Sequence, residues 1–175
     1  MDHSEKRIIE ALLFSTKEPL PLKKIQEILE PTKGYITPKE LKRMLQELSC
    51  EYREQGHAFQ IDAIADGYIL RTHIEFYPYV EQLFTKRRKE RLSQAAMETL
   101  AIVAYRQPVT KSQIEAVRGV DCSGVLQLLQ DRLFIEVSGK LEAPGRPSLF
   151  ATTREFLIHF GLKSLADLPS MPIPA

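Results

Sequence analysis

The chain has 175 residues, enough for one ordinary domain or two small ones. Hydrophobic residues at 43% and charged residues at 27% supply the apolar material for a packed core, which excludes a chain too polar to fold. A formal net charge of +1 lacks the basic excess of a domain built to neutralise many phosphates, so any nucleic-acid contact must come from a local patch. Cys50 and Cys122 stand apart, with no CxxC pair and no histidine at ligand spacing. They read as buried or idle thiols, and neither a zinc site nor a disulfide framework is expected. No stretch approaches about 18 continuous apolar residues, and the apolar run near the N-terminus is too short for a signal peptide. The expected location is the cytoplasm, with no membrane contact.

Over residues 6–14 the apolar positions Ile8, Ile9, Leu12 and Leu13 follow helical spacing, and Glu18-Pro19 interrupts it. A short second helix is expected over 21–29, with Leu22, Ile25, Ile28 and Leu29 on one face and Pro31 and Gly34 closing it. Thr37-Pro38-Lys39-Glu40 opens a third: threonine is a natural N-cap, proline fits the first turn, and Glu40 completes a capping box. That helix should run to about Gly56. AFQIDAIADGYILRTH then alternates apolar and polar residues around Asp66-Gly67, a strong hairpin signal.

Next, in HIEFYPYVEQLF, the residues Phe76, Tyr79, Val80 and Leu83 lie at i, i+3, i+4 and i+7, while Tyr77 and Phe84 carry the apolar surface beyond that stripe. A domain of roughly 80 residues has limited means of covering such aromatic area, so a second chain is the expected cover.

The second half repeats the plan. Ser93 caps a helix through Tyr105, residues 111–118 form a second helix and 123–132 a third, and FIEVSG and PSLFATT supply two strands. KEPLPLKKIQEI and RQPVTKSQIEAV superpose without a gap, placing Pro19 on Pro108, Leu20 on Val109, Ile25 on Ile114 and Ile28 on Val117. The expected fold is mainly α with small β-hairpins (α+β), arranged as two tandem winged-helix (helix-turn-helix) domains. The boundaries are residues 1–84 for the first domain, 85–92 for a basic linker, 93–168 for the second domain and 169–175 for a Pro-rich tail.

KSQIEAVRGVDCSGVLQLL has the spacing of a DNA-reading helix-turn-helix broken at Gly119. Assigning Val125, Leu126, Leu128, Leu129 and Leu133 to the buried stripe turns Ser123, Gln127 and Gln130 outward, a face with no lysine or arginine and with Asp121 and Asp131 at its ends. The electrostatic basis of DNA affinity is missing from this helix. A winged-helix transcriptional regulator is therefore the alternative rather than the leading reading.

At the tip of the second hairpin, Pro144-Gly145-Arg146-Pro147 presents one arginine, which fits a solvated turn residue, a minor-groove contact or an anchor for a partner's carboxylate. Lys86, Arg87, Arg88 and Lys89 form the densest basic cluster, a solvated linker that could add weak, non-specific DNA contact. No catalytic constellation is present: His3, His57, His73 and His159 are scattered, and neither GxSxG nor a P-loop occurs. No cofactor is implied, and the chain reads as not an enzyme.

LSQAAMETLAIVAYRQPVTKSQIEAVRGV, continued by APGRPSLFATTREFLIHFGLKSLADLP, resembles the segregation and condensation protein B family. The resemblance covers residues 92–169, and the first half agrees chiefly in length and order of elements. Asp131-Arg132-Leu133 lacks the glycine that members often place after the arginine, and Ala151 stands where glycine is usual. The resemblance implies a non-enzymatic accessory subunit that forms a homodimer, largely through the first domain. It also implies binding to a kleisin subunit of the segregation and condensation protein A type and, through it, to the SMC ATPase. Chromosome condensation and segregation during cell division would follow, with the protein nucleoid-associated and its DNA contact weak or indirect. On this resemblance the kleisin site is expected around Tyr105, Arg106, Gln107 and Arg146.

Overall fold

The computed structural model describes residues 4–83 and 92–170. They form two compact units, one made of the described residues up to 83 together with 161–170, the other of residues 92–160.

The first unit begins with α1 (Glu5–Ser15), β1 (Leu20–Pro21), α2 (Leu22–Lys33) and α3 (Pro38–Glu54). It continues with β2 (Phe59–Ile64), β3 (Gly67–Thr72), a 3-10 turn at Ile74–Phe76 and α4 (Tyr77–Leu83). Ile9 and Leu13 of α1, Ile25 and Leu29 of α2, and Leu41, Leu45, Leu48 and Tyr52 of α3 are all buried in one core. Their i, i+4 spacing stacks them on one face of each helix. At the start of α3 the expected capping box forms. The Glu40 amide donates to the Thr37 hydroxyl at 3.3 Å, and the Glu40 carboxylate accepts the Thr37 amide at 2.9 Å. Helix α2 departs from expectation by running through Pro31 and ending at Gly34, whose amide donates to the Glu30 carbonyl at 3.0 Å. A proline in the last turn removes one hydrogen bond, and the glycine at φ +75° is what ends the helix.

The three strands of this unit pair antiparallel in the order β1-β3-β2. Ile64 pairs with Gly67, so the loop is Ala65-Asp66, both at positive φ (48° and 57°), as a mirror-image two-residue turn demands. The turn thus falls one residue earlier than the Asp66-Gly67 signal suggested. Gly67 has a different duty: a Cβ there would lie 2.8 Å from the carbonyl carbon of Pro19, so glycine is what lets β1 approach.

The turn is braced from the far end of the chain. The Ala65 amide donates to the Leu162 carbonyl at 2.9 Å and the Asp66 amide to the Lys163 carbonyl at 3.2 Å. The residues from Gly161 onward group with the first unit, whereas the sequence pattern led to an expected boundary of 93–168 for the second domain. Backbone donors on a tight turn need acceptors, and this segment provides them.

The second unit comprises α5 (Gln94–Arg106), β4 (Val109–Thr110), α6 (Lys111–Arg118), α7 (Ser123–Asp131), β5 (Ile135–Lys140), β6 (Ser148–Thr152) and α8 (Arg154–Phe160). Its sheet has the order β4-β6-β5, which reproduces the first unit strand for strand. Ser93 caps α5 by accepting the Ala96 amide at 3.3 Å, and Thr110 and Gln113 form a capping box on α6. Gly119, left-handed at φ +71°, ends α6.

Around α7 the expected buried stripe needs correction: Leu126 and Leu129 are buried together with Cys122, whereas Leu128 is exposed and Leu133 is 62% exposed. Cys122 takes the i−4 position below Leu126. The chain leaves the helix at Arg132 and reverses through Leu133 at φ +59°, so helical spacing no longer governs that side chain. Helix α8, which the sequence pattern did not reveal, buries Phe156, and its Phe160 ring stacks tilted on Phe156 at 4.8 Å.

Candidate functional site

The outward face of α7 presents Ser123 and Gln127, with Gln130 half-buried. A cation does reach this face from outside the helix. Lys111, at the start of α6, places its ammonium 3.1 Å from Asp121 and 3.4 Å from Glu115, and donates to the Ser123 hydroxyl. Asp121 also accepts the Ser123 hydroxyl at 2.7 Å, and Glu115 accepts the Cys122 amide at 2.9 Å. The hydrogen bonds from Ser123 and then Lys111 lower the Asp121 carboxyl to about 2, and the bond to Asp121 chiefly raises Lys111. The ammonium stays charged but is compensated by two carboxylates, a clasp that links the start of α6 to the turn before α7. Sequence reasoning missed it because Lys111 lies 12 residues from Ser123, each opening a different helix of the motif.

The expected kleisin residues occupy two places. Tyr105 and Arg106 are exposed at the end of α5. Gln107 is engaged internally: its side-chain carbonyl accepts the Thr152 amide at 2.7 Å and hydroxyl at 3.0 Å, and its amide group donates to the Ala104 carbonyl at 3.1 Å. It fixes the α5 corner to the base of β6. Arg146 sits beyond the opposite end of that five-residue strand, which spans roughly 13 Å at about 3.3 Å per residue. It occupies the wing tip at φ +40° and pairs with Glu142 at 2.9 Å.

The aromatic face ending the first unit is largely open. Tyr79 is 72% and Leu83 79% exposed, Tyr77 is exposed and donates its hydroxyl to Glu81 at 3.1 Å, and Phe76 and Val80 are half-buried. Phe84 and the linker cations Lys86, Arg87, Arg88 and Lys89 lie outside the described residues. Between α1 and the β2–β3 hairpin runs a groove of about 910 Å³, lined by Ile8, Ala11, Leu13, Phe14, Phe59 and Leu70 among others. Among the described residues no three His, Cys, Asp or Glu side chains gather as a metal site, and no helix is long and apolar enough to cross a membrane.

Fold and surfaces together define a tandem winged-helix protein whose second helix-turn-helix shows neutral polar groups and whose first unit shows aromatic surface. The chain belongs to the family described as segregation and condensation complex subunit ScpB, whose model matches residues 7–171. It is 45% identical over 175 residues to segregation and condensation protein B of Brevibacillus brevis, covering 99% of this chain and 88% of that one. The crystal structure of ScpB from Mycobacterium tuberculosis is 32% identical, covers 93% of this chain and 99% of that chain, and superposes with a TM-score of 0.42. A crystal structure of a dimer of the ScpB N-terminal domain complexed with ScpA peptide is 32% identical over 45% of this chain and 91% of that chain, with a TM-score of 0.39.

Proposed function

We propose that this chain is a non-catalytic, cytoplasmic accessory subunit that pairs with a second copy and holds a kleisin, and through the kleisin serves the SMC ATPase in chromosome condensation and segregation. Family membership over almost the whole chain carries this reading. The surfaces support it in two ways. The clasped Lys111 leaves α7 with no uncompensated cation for a phosphate, which suits a protein partner better than DNA. Tyr77, Tyr79 and Leu83 offer the aromatic and aliphatic area from which self-association interfaces are built.

Pairing runs through Phe76, Tyr77, Tyr79, Val80, Leu83 and Phe84. The kleisin is held at the α5 corner and the wing, with Tyr105, Arg106 and Arg146 in contact and Gln107 holding the corner in place.

Light scattering of the purified chain, alone and with the kleisin of the same cell, tests the reading. A dimer and a stable mixed complex are expected. Tyr79→Glu should give a folded monomer, because burying an unpaired carboxylate in an interface costs several kcal/mol. Tyr105→Ala and Arg146→Ala should each weaken kleisin binding by about tenfold, near 1.4 kcal/mol, with the circular-dichroism melt little changed. A monomeric wild type that ignores the kleisin, or nanomolar discrimination between duplex sequences, would replace this reading with the transcriptional-regulator one.

A further inference from the structure

The third helix of the first unit bears a charged face that the partner-holding role leaves unused. On α3 the buried residues Leu41, Leu45, Leu48 and Tyr52 fix the inward direction. At about 100° per residue, the opposite side carries Lys39, Lys42, Arg43, Gln46, Cys50 and Arg53, and all six are exposed. From Lys39 to Arg53 this face runs about 21 Å at a rise of about 1.5 Å per residue.

The carboxylates of the helix's first four turns are displaced to one flank and committed there. Glu40 is held by the Thr37 amide and hydroxyl at 2.9 and 2.7 Å. Glu47 and Glu51 bind the Lys6 ammonium of α1 at 2.7 and 2.8 Å, and Arg43 touches Glu47 at 3.5 Å. Among the described residues, Lys39 and Lys42 pair with no carboxylate. Together with Thr37, Pro38, Glu40, Arg43 and Gln46 they line a shallow concavity of about 740 Å³ at the start of the helix.

We propose that this face of α3 is a contact for duplex DNA, with the unpaired Lys39 and Lys42 on backbone phosphates and Gln46 facing the groove. A helix fits the major groove, and a helix-turn-helix enters it by the first turns of its second helix, here α3, where these residues stand. Cations there act through counterion release and are aided by the positive end of the helix dipole. An acidic protein would call for apolar anchors among the charges, and this face has none of the aromatic or large aliphatic residues that dominate protein interfaces. With two unpaired ammonium groups and one amide, binding is weak, salt-sensitive and indifferent to sequence. The inference is independent of the kleisin reading.

Anisotropy of a fluorescent duplex of roughly 20 base pairs, titrated with the full chain from about 50 mM salt upward, tests it. Lys39→Glu/Lys42→Glu should weaken binding at least tenfold and reduce the salt slope by about two, with an unchanged thermal melt. Changing Lys86, Arg87, Arg88 and Lys89 to glutamine should leave most of the affinity. Where the charge reversal lowers the melt, Lys39→Gln/Lys42→Gln takes its place, with a threefold loss or more expected. Wild-type affinity in the α3 variants, abolition by the linker change alone, or no wild-type binding at the lowest salt would overturn the proposal. So would poly-glutamate displacing the duplex at equal charge concentration, which would assign the face to an acidic protein.

Discussion

Ile25 and Ile114 hold the same position in the two winged helices, and both are completely buried. One turn later Ile28 and Val117 again correspond, and they are 39% and 47% exposed. The two sheets have the same strand order, and Leu20 and Val109 sit in matching first strands. Inside, each unit answers the same packing problem with similar residues. Outside, the third helices part: α3 shows Lys39, Lys42, Arg43 and Arg53, whereas α7 shows Ser123, Gln127 and Leu128 beside a lysine already spent on Asp121 and Glu115. Burial constrains the interior of a fold and leaves its exposed faces free to acquire separate partners.

The equivalence of the two cores can be broken most forcefully at its centre. Ile25→Ala and Ile114→Ala should each cost about 2–5 kcal/mol, the range for emptying a fully packed aliphatic site. Hydrogen exchange should show each loss concentrated in the mutated unit; identical exchange maps for the two variants would mean that the units do not unfold separately. A smaller asymmetry is expected at Gly67, which has no glycine counterpart in the second sheet. Gly67→Ala should destabilise the first unit by about 1–3 kcal/mol, because the added methyl meets the Pro19 backbone and not a yielding side chain. A thermal melt within about 1 °C of wild type would show that β1 can move aside.

The third helices also begin differently. Thr37→Ala should remove about 1 kcal/mol, since α3 relies on a side-chain cap, and urea denaturation reads the change directly. Helix α7 has no such cap, and Asp121 steadies its first turn. Because the folded-state value of Asp121 lies below that of an ordinary carboxylate, near 3.9, its contribution is present above that pH and fades as the pH falls through about 2. The protection factor of the Ser123 amide, with the intrinsic pH dependence of exchange divided out, should therefore fall over that interval in the wild type but not in Asp121→Asn, the smallest effect of the set.

Much of this architecture was legible beforehand because it is written in local chemistry. The Thr37/Glu40 box, the Ser93 cap, Gly119 and the ungapped match of KEPLPLKKIQEI with RQPVTKSQIEAV each tie a residue type to a backbone requirement within a few positions. What stayed hidden depends on distant partners or on very short elements. Strands β1 and β4 are two residues long, below any periodicity. Gly67 looked like a turn residue until Pro19 was placed against it. Gln107 looked available until Thr152 claimed its carbonyl. The basic face of α3 was readable, since Lys39, Lys42, Arg43 and Gln46 sit at i, i+3, i+4 and i+7 opposite the leucines.

The hydrogen bonds from Ala65 and Asp66 to Leu162 and Lys163 bear on how the chain is made. On the ribosome the second unit emerges as one uninterrupted stretch and has all its parts as soon as α8 is out. The first emerges earlier but lacks its last acceptors until residue 163 clears the exit tunnel. Its hairpin turn must wait with two backbone donors satisfied by water for the time needed to synthesise nearly a hundred more residues, several seconds at about 5–20 residues per second. The unit that begins synthesis first is thus the one that finishes last.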